Sequence, residues 1–170
     1  MEFIRVSVQN RHWVSLLNQW EESCTEFDES FSDYAAESLP ILRPLAEQAQ
    51  LNSSGVFALK DGSEYRGICQ LNSAHIKGYT GKVLRVRHIV HAPRYDFSSE
   101  VVLDDYAELL SGIFKGVIDI SATEMPSPDV KFHFRSPAER QFFVEFNTAL
   151  EDHKVFDKVN MVGSWLYIKK

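Results

Sequence analysis

The amino-acid sequence predicts a single α/β domain, residues 1–170, in which a mixed, mainly antiparallel sheet carries helices on both faces. Its length suits one domain that buries roughly two-thirds of its unfolded surface in one core. The middle of the chain alternates apolar and polar residues with a period of two, which is typical of strands. The segments on either side repeat apolar residues at spacings of three and four, which is typical of amphipathic helices.

Composition narrows the class of protein. The chain has 18 basic and 24 acidic residues and a net charge of −6, without the clustered cations that phosphate contacts require, so we expect no nucleic-acid partner. No apolar stretch approaches the ~20 residues of a membrane helix, and the first residues do not form a signal peptide, which predicts a cytoplasmic protein with no membrane partner. The cysteines and histidines lack ligand spacing, so we expect no metal site.

The first part of the chain predicts a strand and two helices. Residues 3–8 alternate as a short strand, and Asn10 stands where a helix N-cap belongs. A second helix is expected from Pro40 or Pro44 to Gln50, because proline is tolerated in a first turn and not in a helix interior. The first helix should bury an apolar face made of Trp13, Leu16, Leu17, Trp20, Cys24 and Phe27.

The middle of the chain predicts three consecutive antiparallel strands. Asp61-Gly62 between the first two is a strong hairpin signal. Pro93, which cannot donate to a ladder, should end the third. The three strands are expected at residues 56–59, 65–72 and 82–90.

A long helix should follow, from about residue 101 to residue 120, with the third strand leading directly into it. Ser98 or Ser99 can cap it, and Asp104 and Asp105 place negative charge at its positive end. Its core stripe is expected to contain Val102, Tyr106, Leu109, Leu110, Ile113 and Val117.

The last part predicts a strand, a helix and a terminal strand. Residues 130–134 alternate as a strand. Ser136 to Glu139 combine an N-cap, a proline at the first helical position and a glutamate at the third, which is a capping-box signature. Residues 161–168, around Gly163, are expected to form the closing strand.

This order of elements resembles the GNAT superfamily of N-acetyltransferases along essentially the whole chain. The resemblance implies that the strand before the long helix splays from its neighbour and that acetyl-CoA or another acyl-CoA sits in the cleft. The pyrophosphate would lie on backbone N–H groups where the helix begins, since a helix N-terminus offers orphan donors and about half a positive charge. On this resemblance, the acyl-CoA would be held by Ile89, Val90, Arg94, Ser98 and Ser99.

The chain departs from the family's local motifs in two places. The phosphate motif Gln/Arg-x-x-Gly-x-Gly/Ala lacks its glycines, since none occurs between Gly81 and Gly112. Asp96 and Glu100 would also repel a phosphate there. The family's tyrosine, the general acid for the leaving thiolate, falls near Phe143, and a phenyl ring has no proton to give.

His88 and His91 are the candidate bases that would deprotonate an amine, because an imidazole titrates near neutral pH. They lie three residues apart, so at most one should face the cleft. The alternative is that both are packed or surface histidines. Alternation also places Arg85, Arg87 and His91 on one face, either as an anion-recognition cluster or as a solvated sheet face.

Two functions therefore remain open at the level of sequence. One is an acyl-CoA-dependent N-acyltransferase with an atypical pyrophosphate loop, whose acceptor is an amine of a small molecule or a protein. The other is a non-catalytic protein of the same fold, alone or as a homodimer, that binds a small molecule or a partner protein. The order of elements favours the first, and the missing glycines and tyrosine favour the second.

Overall fold

A computed structural model of the chain describes residues 1–48, 51–153 and 155–170. Within these ranges, the secondary structure comprises seven strands and five helices. In chain order they are β1 (Glu2–Val6), α1 (His12–Glu26), α2 (Leu39–Glu47), β2 (Ser54–Asp61), β3 (Glu64–His75), β4 (Lys82–His91), α3 (Arg94–Phe97), α4 (Leu103–Ala122), β5 (Asp129–His133), α5 (Pro137–His153), β6 (Lys158–Val162) and β7 (Trp165–Lys169).

The described strands form one sheet in the order β1-β2-β3-β4-β5-β7-β6. Neighbouring strands are antiparallel except β4 and β5, which run parallel because α4 crosses over between them. The sheet is therefore mixed and mainly antiparallel, and the three consecutive antiparallel strands expected from the sequence are confirmed as β2, β3 and β4.

Helices cover the sheet on both faces, as the sequence predicts. On what we call the α4 face, a Cβ added at Gly116 of α4 would lie 2.2 Å from Cγ of Phe3, so helix and strand are in direct contact. The aromatic ring of Phe143 brings α5 onto the same face by stacking on Phe132 of β5, with ring centroids 5.7 Å apart. The other face, which we call the α1 face, is covered by α2 over β2 and by α1 over β3.

The long helix is unbroken, but it begins later than the sequence indicates. Val102 rather than Ser98 or Ser99 is its N-cap residue, and Val102 is 59% exposed instead of lying in the core stripe. The short helix α3 separates β4 from α4, so the strand does not lead directly into the long helix. Phe97, at the end of α3, packs against Phe27 and Tyr34.

Three further boundaries differ from expectation. Helix α2 begins near Pro40 and contains Pro44 in its interior, where the missing N–H costs one helical hydrogen bond. Gln50, the expected end of that helix, lies outside the described residues. The expected closing strand at residues 161–168 is instead the hairpin of β6 and β7, because Gly163 adopts a φ of 61° and starts a two-residue turn.

Candidate functional site

A cleft opens where β4 and β5 separate. The two strands pair only as far as Val86 and Phe132, and beyond that point their ends diverge. The space between them has a volume of about 900 Å³. Its lining is mostly apolar and comes from the end of β4, the loop between α1 and α2, the first turns of α4 and the start of α5.

A β-bulge in β4 determines which side chains reach this cleft. Cys69 of β3 faces two residues of β4, His88 and Ile89, because the register changes from Gln70 opposite Arg87 to Ile68 opposite Val90. His88 has a φ of 50°, in the left-handed region that few non-glycine residues adopt. Of the two candidate bases, His91 lines the cleft and His88 does not.

The bulge also corrects one expectation about the arginines. Arg87 lies opposite Gln70 on the α1 face, and Arg85 lies on the same face. His91 lies opposite Gly67, whose Cα faces Leu109 of α4. The prediction that Arg85, Arg87 and His91 share one face is therefore wrong, because the extra residue inverts the alternation after position 88.

The floor of the cleft holds an imidazole beside a carboxylate. Nε2 of His91 lies 3.3 Å from Oε1 of Glu139, and the two side chains are only 12% and 5% exposed. The contact is not aligned as a standard hydrogen bond, so the structure shows the two groups as close neighbours. The other carboxylate oxygen, Oε2, accepts the backbone N–H of Arg135 and of Ser136, both at 3.3 Å. This confirms the predicted bond from Glu139 to the start of α5.

The loop between α1 and α2 is fastened to the cleft by Tyr34. Its hydroxyl donates to the backbone oxygen of His91 at 2.6 Å and lies 3.1 Å from Oδ2 of Asp96. Burial, the charge of Asp96 and the hydrogen bond to it raise the pKa of Tyr34 well above its usual value. The hydroxyl therefore stays protonated and acts as a structural donor at neutral pH.

The rim of the cleft carries more acidic than basic groups. Asp33, Glu37 and Asp96 are the acidic residues at the rim, and Arg135 is the one arginine among the described lining residues. The guanidinium of Arg135 forms an ion pair with Glu37. The field at the mouth is thus more favourable to a cation than to an anion.

The residues that the resemblance assigns to acyl-CoA divide into two groups. Ile89 and Val90 line the cleft. Arg94 lies outside its lining, in an ion pair with Glu64 at 3.0 Å. Ser98 accepts the N–H of Glu100 at 3.2 Å, and Ser99 is exposed, and neither lines the cleft.

The start of α4 does not fit a diphosphate. The backbone N–H of Val102, which an anion would need, already donates to Oδ2 of Asp105 at 2.9 Å. Asp104 and Asp105 both lie in the first turn, and Leu103 beside them is 80% exposed. A phosphate would meet like charge and an apolar surface there.

Phe143 occupies the place of the family's general acid and is deeply buried, with 1% of its surface exposed. Its ring stacks on Phe134 with centroids 4.4 Å apart and lies edge-on to Phe142 at 5.0 Å. The position belongs to the core and offers no proton to the cleft.

Sequence reasoning missed two residues of this site. Glu139 was interpreted only as a helix-capping residue, although a capping carboxylate uses one oxygen and leaves the other available. Tyr34 lies in the segment between the two helices predicted in the first part of the chain, and no local pattern indicates its contact with His91. Among the described residues, no group of three or more His, Cys, Asp or Glu side chains could hold a metal ion, and none of the described helices is long and apolar enough to cross a membrane.

The sequence matches no protein-family model and no curated protein sequence. Solved structures that are similar in fold include the following two. An acetyltransferase from Bacillus subtilis in complex with CoA is 8% identical, with 71% of this chain and 79% of that chain covered and a TM-score of 0.40. FeeM, an N-acyl amino acid synthase from uncultured soil microbes, is 12% identical, with 99% of this chain and 92% of that chain covered and a TM-score of 0.41. At these TM-scores, neither likeness bears on activity. The GNAT-like fold is evident in the chain's own order of elements and in its parallel β4–β5 pair.

Proposed function

We propose that this chain is an N-acyltransferase that moves an acyl group from an acyl thioester to an amine bound in the cleft. The observation that carries the proposal is the pairing of His91 with Glu139, a buried carboxylate beside an imidazole, at the floor of a largely apolar cleft. A base oriented by a carboxylate is the arrangement that activates an attacking nucleophile in many enzymes.

In this proposal, His91 acts as the general base. Its Nε2 lies toward Glu139, which leaves Nδ1 to take the proton of the amine, and the carboxylate stabilises the resulting imidazolium. As the C–N bond forms, the C–S bond breaks and the amine proton passes to His91. The leaving thiolate takes its proton from solvent, because Phe143 has none to give.

The acceptor in this proposal is a small cationic amine. Asp33, Glu37 and Asp96 at the rim attract an ammonium group by their charge. The ammonium releases one proton to solvent on entering, and the neutral amine then loses a second to His91 during transfer.

The donor in this proposal is an acyl-CoA held mainly by its acyl chain. Ile89 and Val90 offer apolar contact, whereas the start of α4 repels the phosphates. Acetyl-CoA, which has the shortest chain, should therefore be a poorer donor than longer acyl-CoAs, since each buried CH₂ contributes about 0.8 kcal/mol.

The release of free thiol from acetyl-CoA and octanoyl-CoA, with and without a panel of small amines, tests the proposal. We expect amine-dependent thiol release, faster with octanoyl-CoA, that is lost in His91→Asn and kept in His75→Gln, an exposed histidine at the end of β3. Amine-dependent release that is equally fast in His91→Asn would show that His91 is not the base. An absence of thiol release with every donor and amine would reject acyl transfer.

A second candidate function is a non-catalytic protein that binds a cationic amphiphile. The specific observation in its favour is the burial of Phe143 among other phenylalanines, which leaves the general-acid role unfilled. This candidate predicts that an amphiphilic amine raises the melting temperature while no thiol is released from any acyl-CoA.

A further inference from the structure

The α1 face of the sheet is covered by helices over β2 and β3, but among the described residues no helix contact of comparable extent is made with β4, β5 and β7 on that face. The open part carries a set of side chains that we call the cation–aromatic face. Register places Arg85 beside Lys131, Lys131 beside Tyr167, and His133 beside Trp165. With Arg87, which lies two residues beyond Arg85, the face consists of Arg85, Arg87, Lys131, His133, Trp165 and Tyr167.

The cations of this face are positioned by rings rather than by carboxylates. Nζ of Lys131 lies 4.5 Å from the ring centroid of Tyr167 and 4.9 Å from that of Tyr79. The guanidinium of Arg87 lies over Trp165 at 5.7 Å. No ion pair to a carboxylate joins Arg85, Arg87 or Lys131 in the part of the chain that the structure describes. A cation–π contact orients a cation without neutralising it, so these charges remain available to an anion.

The face also carries an unsatisfied donor. Arg85 donates to Oδ1 of Asn72 through Nη2, but its Nε is buried without a partner in the described structure. A buried N–H that lacks an acceptor is unfavourable, and because this N–H has almost no accessible surface, an external anion would bind the outer nitrogens of the guanidinium instead. Burial, and to a smaller extent the nearby charge of Arg87, lowers the pKa of Arg85.

A pocket of about 430 Å³ adjoins the face and gives it the shape of a small-molecule site. Tyr79 and Tyr167, the two rings that hold Lys131, line this pocket together with Lys158 and Lys169. The neighbouring Asp129 lies in the pocket wall and forms no ion pair with Lys131. The pocket therefore presents lysines and tyrosine rings to a ligand, and Tyr167 connects it to Lys131 of the cation–aromatic face.

We propose that the cation–aromatic face and its adjoining pocket bind a small molecule bearing phosphate groups. Two guanidinium groups and several ammonium groups suit the multiple oxygens of a phosphate better than the two oxygens of a carboxylate. Such a site is compatible with a chain of net charge −6, because the cations are concentrated in one place. It lies on the side of the sheet away from α4 and does not depend on acyl transfer.

Inorganic pyrophosphate is the probe that tests this site, with calorimetric titration of the full chain at low salt. The variant Arg85→Gln with Lys131→Gln removes two charges from the face. The matched control, Arg43→Gln with Lys115→Gln, removes two exposed charges from α2 and α4. We expect the face variant to bind at least about tenfold more weakly than the unmodified chain, and the control to bind within about twofold of it, because a charge-assisted contact depends on position. An equal loss in both variants would overturn the proposal, since only net charge would then matter.

Lys131→Arg keeps the charge and provides a check on folding. We expect it to bind pyrophosphate within about threefold of the unmodified chain, because a guanidinium also binds phosphate oxygens. Failure of the unmodified chain to bind pyrophosphate at millimolar concentration would overturn the proposal. So would a short single-stranded oligonucleotide that binds through Arg85 and Lys131 while pyrophosphate does not compete with it, because the occupant would then be a nucleic acid.

Discussion

Glu139 Oε1 lies 3.3 Å from His91 Nε2, so a single contact joins the end of β4 to the first turn of α5 across the cleft. Glu139→Gln keeps an oxygen for the N–H groups of Arg135 and Ser136 but removes the charge that faces His91. If the pair acts as proposed, thiol release should fall by about 10²–10⁴-fold in His91→Asn and by a smaller factor in Glu139→Gln. The control is Glu145→Gln, an exposed residue of the same helix. An equal loss in this control would contradict a role for the pair.

Phe143→Tyr should destabilise the protein without restoring a general acid. Its ring is 1% exposed and stacks on Phe134, so an added hydroxyl would be buried without a partner. The expected cost is about 1–3 kcal/mol, or a melting temperature lower by roughly 2–12 °C for a domain of this size. Phe142 is half-buried at the cleft, so Phe142→Tyr should lower the melting temperature less than Phe143→Tyr does. An unchanged melting temperature together with faster thiol release would show that the hydroxyl reaches the cleft.

Acetyl-CoA at millimolar concentration should leave the melting temperature almost unchanged. The N–H of Val102 is taken by Asp105, and Asp104 adds further negative charge. A ligand at a hundred times its dissociation constant would instead stabilise the fold by about 2.7 kcal/mol, a rise of roughly 5–11 °C. Asp104→Asn with Asp105→Asn should allow a measurable rise, and Glu21→Gln with Glu22→Gln on α1 should not. A large rise in the unmodified protein would contradict the expected repulsion.

Stability should fall as the pH drops through the ordinary range of histidine, partly because of His88. Burial, with Arg135, Arg87 and His133 nearby, lowers the pKa of His88 below its usual value of 6.5. As the pH falls below 6.5, the imidazole of residue 88 binds a proton in the unfolded chain before it does so in the folded chain. The free energy of unfolding therefore decreases with acidification. His88→Asn should flatten this dependence, since asparagine also tolerates a positive φ.

Urea unfolding at several pH values between about 5 and 7.5 measures the slope attributed to His88. His75→Gln, at the exposed end of β3, is the control and should leave the slope unchanged. A slope in His88→Asn as steep as in the unmodified protein would show that another group carries the dependence. His133, whose pKa is lowered by burial and by Arg87 and Arg135, would be the next to examine.

Periodicity predicted the elements because each obeys a local rule. The strand expected at residues 82–90 is Lys82–His91, and the helix expected from about 101 to 120 is Leu103–Ala122. Both elements have long apolar patterns. Because one face of each element is buried, the spacing of its apolar residues shows whether it is a strand or a helix. The capping bond of Glu139 is equally local and was predicted with its partner, Ser136.

The features that were not predicted depend on contacts distant in sequence. Helix α3 ends in Phe97, whose ring packs on Phe27, and no neighbouring residue indicates that contact. The sequence predicts one strand that includes Gly163, whereas the structure has a turn there. A short run of alternating residues does not distinguish one strand from two. His91 was a candidate from the sequence, but its partner comes from α5 and is brought to it only by the fold.

The bulge at His88 gives β4 two halves with opposite phase. The half before it directs Arg85 and Arg87 to the α1 face, and the half after it directs His91 toward α4. A strand of the same length without the bulge would put Arg87 and His91 on one face, which would withdraw the imidazole from Glu139 and turn Val90 toward it. The extra residue therefore lets one strand present arginines on one side of the sheet and a cleft histidine on the other.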